Sequence, residues 1–405
     1  MEQYCKIRES RLPWVLFYVG LTIELVMVII DKSNYVNPIE GYLFRLTFLL
    51  FALKLVLTGY TGKEWLAILC MEAIGFVSYR ITGENDIIRI VTFVAACKGI
   101  PLKQMMRYAF YVTTVGCAAI IFLSVTGIYG DISLTLDYGR GYEQTRYTLG
   151  LGHPNALSCM FFMVLATGIY AFSERMKWYF YLFFMLLNVC VFWLTDSKTS
   201  MFITTLLLAG SFFVTYSKYL REKWFIYVGG LVVFALCIGF SVDAAANAQK
   251  VREARWNESY YGEPRYDTHI VGLLRLDEQI NGRIVSLTNS ENNDGTLATW
   301  SAFSCPNNMT YYFDMGWVKL FYRYGVIPGI LYCVACLALL WKFYRKKDAY
   351  GLVAFTVLAI YTVVEAHLFS VYLGRNFLLL MMGSYLFTGQ NVIPARKPST
   401  AANPE

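Results

Sequence analysis

The sequence predicts an all-α polytopic membrane protein, about twelve transmembrane helices with one long extracytoplasmic loop, and three observations carry that prediction. Hydrophobic residues make up 57% of the chain and charged residues only 16%, and mean hydropathy is +0.45, far from the balance of an ordinary soluble domain. Apolar runs of bilayer-crossing length recur along the chain, separated by short basic loops. Only one interval, about 242–310, is both long and hydrophilic. An aromatic content of 17% fits the same class, because Tyr and Trp favour the headgroup region where one end of the ring is wet.

Taken in order, Lys6, Arg8 and Arg11 precede a first apolar run, 13–30. It is longer than a signal-peptide core and no small-residue cleavage pattern follows, so it reads as a retained span. Further runs lie at about 41–58, 64–79, 86–98, 106–129, 155–173, 177–195, 199–217, 224–241, 325–342, 350–369 and 374–389. The run at 86–98 is short and carries Arg89, which reads as a tilted or broken span, or one that partly faces an aqueous cavity. The chain thus divides into spans over 1–241 with a shorter outer loop at about 131–152, the long loop 242–310, an interfacial helix and spans over 311–390, and a polar tail 391–405. No internal repeat is evident, which weighs against transporters built from inverted repeats.

Alternate loops set the orientation. Lys63, then Lys98, Lys103 and Arg107, then Arg175 and Lys177, then Lys218, Arg221 and Lys223, then Lys342, Arg345, Lys346 and Lys347 fall on one side, and the tail adds Arg396 and Lys397. The short loops of the other side hold only Lys32, Arg80, Lys198 and Arg375. Both termini are therefore expected in the cytoplasm and the two larger loops outside. The net charge of +7 resides in these clusters, so it calls for a lipid bilayer and no nucleic acid.

The long loop is expected to be ordered: its aromatic residues and the stretch "HIVGLLRL" can bury surface, and its acids and bases are interspersed. Cysteine spacing shows no disulfide framework, and the Cys333/Cys336 pair lies inside an apolar run, as buried small side chains do. With three histidines and no HExxH or close His/Cys spacing, no dedicated metal site is expected.

Four groups of residues can carry chemistry. Arg140, Arg146, His153, Pro154 and Asn155 surround a helix start, since Pro154 suits the first turn; free N–H groups, the positive dipole end and two arginines invite a phosphate. Contact with lipid headgroups explains the same residues equally well. Ser197 and Lys198 in "LTDSKTSMF" sit at a tight outer turn, where Ser197 or Thr199 caps a helix and Lys198 offers a second anion contact. Arg283 lies in the long loop beside Arg275, Asp277 and Glu278. Asp314, in the aromatic stretch after that loop, is a candidate base, and Glu365 near the outer end of a span is either functional or a structural partner of Arg375.

Arg146 ahead of "GLGHPN", "TDSKTS" at a later outer turn, "NGR" with Arg283 in the long loop, and a polar residue before an aromatic helix and "YGVIPG" together resemble the O-antigen polymerase and ligase family, especially Wzy-type polysaccharide polymerases. The resemblance runs from about Arg140 to Asn376 and rests on the order of the motifs. It implies a GT-C-like, inverting, metal-independent glycosyltransferase without a cofactor. Such an enzyme joins undecaprenyl-pyrophosphate-linked oligosaccharide repeat units, donor and acceptor, at the outer face of the cytoplasmic membrane, for capsule, exopolysaccharide or O-antigen, with flippase and chain-length regulator proteins as partners. It implies further that Arg146 and Arg283 meet the pyrophosphate. Related ligases often carry a His where this chain has Asp314, so the base is Asp314 first, then His153 or Glu365. A ligase moving a glycan to another acceptor and a transporter or flippase of lipid-linked saccharide are the alternatives.

Overall fold

The computed structural model describes residues 11–33, 35–137, 141–288, 295–304 and 313–387. Its helices are α1 (Leu12–Lys32), α2 (Glu40–Val56), α3 (Gly62–Thr82), α4 (Asp86–Ala96) and α5 (Leu102–Val125), then α6 (Pro154–Phe172), α7 (Trp178–Thr195), α8 (Lys198–Tyr216), α9 (Lys218–Glu222), α10 (Trp224–Tyr261) and α11 (Thr268–Gln279), and finally α12 (Gly316–Tyr324), α13 (Val326–Lys346), α14 (Ala349–Val364) and α15 (Phe377–Leu386). Eight of them, α1, α3, α5, α6, α7, α8, α10 and α13, are long and apolar enough to cross a membrane, which makes the chain a multi-pass membrane protein. The other apolar runs are also helical but shorter: α2 has 17 residues, α4 11, α14 16 and α15 10.

Packing separates an inner from an outer surface. Phe17, Phe93, Phe162, Trp317, Phe355 and Tyr361 are buried in one continuous core. Val115 and Phe122 on α5 and Leu186 and Trp193 on α7 stay exposed. Apolar side chains exposed on that scale belong against acyl chains.

Three features correct the sequence reading. The run ending at 241 does not stop there: α10 continues to Tyr261 as one helix of 38 residues, so the first part of the expected loop is helical. The stretch "AAANAQKVREAR" contains no breaker and is rich in Ala, the strongest helix former, and Ala244, Ala248 and Val251 are buried along one side. Second, the shorter loop has regular structure that the sequence reading did not assign. It holds an antiparallel hairpin, β1 (Ser133–Asp137) with β2 (Glu143–Tyr147), in which Thr135 faces Thr145 and Leu134 faces Arg146. Alternating Leu and Thr favour that extended pairing. Third, Arg89 does not face an aqueous cavity. It is 3% exposed, donates to Glu24 at 3.1 Å and to the carbonyl of Val371 at 2.9 Å, and stands near Asp86, which pairs with Arg323. A charge so far from water needs such partners.

The remainder of the long interval folds as a cap with its own small core. Ile270, Leu273 and Leu274 of α11, with Ile284, Leu287, Phe313, Met315 and Tyr322, pack on the buried alanines of α10. The stretch "HIVGLLRL" thus buries surface as expected. Asp267 caps α11 by accepting from the Ile270 amide at 2.9 Å.

Candidate active site

Charged side chains converge where the cap meets the bundle. Arg283 reaches this point through local geometry. Asn281 and Gly282 both adopt left-handed backbone conformations, φ 58° and 74°, which reverse the chain after α11. Asn and Gly tolerate that region best. Asp277, fully buried, then accepts from the Ile284 amide at 2.6 Å and is paired with Arg255 at 2.7 Å, pinning the residues on either side of the turn.

The Arg283 guanidinium lies between two carboxylates. One terminal nitrogen donates to Glu365 at 2.8 Å. The other approaches Asp314 at 2.7 Å as an ion pair but out of line for a hydrogen bond. Burial opposes the charge on Arg283, yet the two acids outweigh it and hold its pKa above the ordinary value. Glu365 lies in the non-helical segment beyond α14; burial pushes it up to about 7, Arg283 pulls it down and the nearby Asp314 pushes it up again. Its expected partner Arg375 pairs instead with Asp31. Asp314 lies two residues before α12 and its side chain remains 38% exposed, the more open of the two acids.

His153 occupies the N-cap of α6, as the sequence predicts, and its Nδ1 accepts from the Asn155 amide at 3.1 Å. Burial, then the charges of Lys32 and Arg146, lower its pKa, while Asp314 acts in the opposite sense. A neutral imidazole whose Nδ1 accepts carries its proton on Nε2, so its other face donates. Arg146 is buried on β2, donating to Gln144 at 2.9 Å and standing 3.5 Å from Asp196 at the α7/α8 turn. Gln144 in turn donates to Asp196 at 3.0 Å, which docks the hairpin on that turn.

Two lysines complete the cluster and were missed by sequence reasoning. Lys32, in the last turn of α1, is close enough to bear on the charges of His153, Glu365 and Lys319. Lys319 of α12 is buried; burial and then Arg323 bring its pKa down to about 8, with Asp314 acting oppositely. Lys32 reads in sequence as an ordinary outer-loop charge. Lys319 is flagged only by its place on the buried side of an aromatic helix.

Other expected site residues lie elsewhere. Arg275 is half exposed on the cap, held by Glu258 at 2.5 Å and Glu278 at 3.0 Å, and is not brought to the cluster. Ser197 stands at the start of α8 without capping it. Its hydroxyl donates to Ser200 at 3.1 Å, and Ser200 meets the Tyr361 hydroxyl at 3.0 Å, with Tyr361 near enough to Arg283 and Glu365 to feel their charges. Lys198 is exposed on the first turn of α8. Asn155 contributes its backbone amide to His153. Arg140 lies outside the described residues. Among the described residues no group of three or more His, Cys, Asp or Glu side chains is arranged to hold a metal ion.

Arg146, His153, Arg283, Asp314 and Glu365 therefore share one end of the bundle with Lys32 and Lys319. The set offers fixed cations to an anionic group, a neutral imidazole donor, and two carboxylates able to take a proton. No protein-family profile matches this chain, and neither a curated protein nor a solved structure is detectably similar to it.

Proposed function

We propose that this protein is a polysaccharide polymerase of GT-C type that joins undecaprenyl-pyrophosphate-linked oligosaccharide repeat units at the outer face of the cytoplasmic membrane. The observation that carries this reading is the convergence of Arg283, Asp314 and Glu365, with His153 and Arg146 alongside, at one end of a membrane bundle. In the reaction an acceptor hydroxyl attacks the anomeric carbon of the donor sugar from the face opposite the leaving group. The new glycosidic C–O bond forms as the bond to pyrophosphate breaks, and the electron pair departs with undecaprenyl pyrophosphate. The hydroxyl proton passes to Asp314, the more open carboxylate.

Charge growing on the leaving group is met by Arg283, Arg146 and the two lysines, where one well-aimed donor is worth about 3 kcal/mol in the transition state. His153 Nε2–H adds a neutral donor, and Glu365 holds Arg283 in place. On this reading no metal or cofactor is required. The partners are the two lipid-linked oligosaccharides, the bilayer, and flippase and chain-length regulator proteins.

A chromosomal deletion tests the reading. Single lipid-linked repeat units accumulating at the outer face are the expected result. Accumulation at the inner face makes the protein a flippase. Normal polymer that fails to reach its final acceptor makes it a ligase.

A further inference from the structure

Beside the cationic cluster, a cavity of about 290 Å³ opens between the end of α1, the start of α2 and the segment that follows Glu365. Its character is opposite to that of its neighbour. The charged groups on its wall are carboxylates, Asp31 and Glu40, joined by the amide of Asn37 and the rings of Tyr35 and Tyr372 over an apolar floor from α1. Asp31 is engaged by Arg375, whose guanidinium also lies 4.9 Å from the centre of the Tyr372 ring. The Tyr372 hydroxyl bonds to Glu40. Tyr35 is 51% exposed, with its ring set edgewise to Tyr129 at 6.4 Å.

This combination selects a class of ligand. An anion meets the Glu40 carboxylate and is repelled, while Asp31 is balanced by Arg375 and by Lys32 at 4.0 Å. A wholly apolar ligand covers Glu40 and Asn37 and offers no hydrogen bond beyond those they already accept, from the Tyr372 hydroxyl and from the Ile39 amide at 3.2 Å, which costs free energy. A sugar ring satisfies both halves of the wall: its C–H face lies on an aromatic ring, and its hydroxyls donate to Glu40 and exchange hydrogen bonds with Asn37. The volume is near the lower bound for small-molecule pockets, suited to a ligand of one or two rings.

Position ties the cavity to the transfer site. Asp31 adjoins Lys32 in sequence, and Lys32 acts on His153, Glu365 and Lys319. Tyr372 stands on the same connecting segment as Glu365. A saccharide anchored by pyrophosphate on the cations therefore has, next to Lys32, a cavity free of cations on its wall.

We propose that the cavity is a saccharide subsite that takes an uncharged sugar ring through Tyr35, Glu40 and Asn37. Its assignment to the oligosaccharide of a lipid-linked substrate rests on the polymerase reading; the binding of a sugar does not. The test uses the full-length protein in lipid nanodiscs and saturation-transfer NMR with methyl glycosides of glucose, galactose and N-acetylglucosamine, beside methyl glucuronide and tetramethylammonium. At least one neutral glycoside is expected to receive saturation. Tyr35→Ala and Glu40→Gln should each weaken it by about tenfold, the effect of one lost contact, and Tyr35→Phe should retain it. Because Tyr35 is half exposed, its truncation leaves the core packed.

Absence of transfer to every neutral glycoside, transfer that survives both Tyr35→Ala and Glu40→Gln, or a preference for methyl glucuronide or tetramethylammonium overturns the subsite. The two readings fail separately. Glycosides held through Tyr35 in a protein whose deletion leaves polymer untouched keep the subsite and remove the polymerase. A deletion that accumulates repeat units, with glycosides indifferent to Tyr35 and Glu40, does the reverse.

Discussion

Arg283 and Glu365 meet at 2.8 Å although 82 residues separate them in the chain. The cap is thereby joined to the end of α14 by a buried ion pair, and Asp314 closes the arrangement from the start of α12. The nitrogen bonded to Glu365 has a second N–H, and the nitrogen facing Asp314 gives that acid no hydrogen bond, so the fork can serve an anion while anchored.

Removing that fork should affect chemistry more than expression. Arg283→Ala is expected to lower polymer formation by about 100-fold, and Arg283→Lys to recover little of it, because a point charge cannot span two acids and an oxyanion. Quantifying chain output against membrane-inserted protein checks this; undiminished output from Arg283→Ala would reduce the residue to a structural clamp.

Glu365 predicts an acid limb. Its pKa is raised from 4.5 to about 7, so between those values the folded protein keeps a proton that the unfolded chain releases, and stability falls as pH rises through that window. Activity should rise over the same window, because only the ionised carboxylate holds Arg283 firmly. Glu365→Gln should flatten both profiles, whereas Asp314→Asn should abolish elongation and leave donor binding in place. Elongation and melting series against pH, with donor-binding measurements on both variants, separate the two acids.

Lys319 predicts the opposite limb. Its pKa is lowered from 10.5 to about 8, so the folded protein sheds its proton before the unfolded chain does. Its contribution to stability therefore becomes more favourable as pH rises from about 8 towards 10.5, while the cation is lost to the site. Turnover should decline above about pH 8 in the parent protein. Lys319→Arg should carry activity to higher pH, and Lys319→Met should lower it throughout and remove the decline; a pH–rate profile that is the same in all three chains excludes Lys319 from the site.

The loop charges predict sidedness. An impermeant thiol reagent applied to intact cells should label Asn292→Cys and spare Lys346→Cys. The reverse labelling would invert the topology and place the charged cluster in the cytoplasm.

Much of this arrangement is legible in the sequence, and what is not has identifiable physical causes. Every expected apolar run forms a helix, because length and hydropathy are local properties. Arg283 is marked in the sequence by the "NGR" of the resemblance, and His153 by the proline that follows it. Partner choice was not local: Glu365 was matched with the nearby Arg375 and found Arg283, while Arg375 found Asp31. Lys32 and Lys319 escaped notice because one resembles an orientation charge and the other lies among aromatic residues. The length of α10 was missed because polarity was taken for loop, although an Ala-rich polar segment with one buried side satisfies a helix as well.

That length has a mechanical consequence. At 1.5 Å per residue the 38 residues of α10 extend about 57 Å, against about 30 Å of hydrocarbon, so the helix is a rigid mast carrying the cap above the bilayer. A mast transmits phase. One residue inserted above the membrane, for instance after Lys250, turns everything beyond it by about 100° and takes Ala254 and the cap out of line with Ala244 and Ala248, on which the same cap core packs. An insertion of the same size after Gly262, beyond the end of the helix, turns nothing. The alignment of the cap with the charged end of the bundle is therefore encoded in a count of residues along α10 as much as in the identity of any one of them.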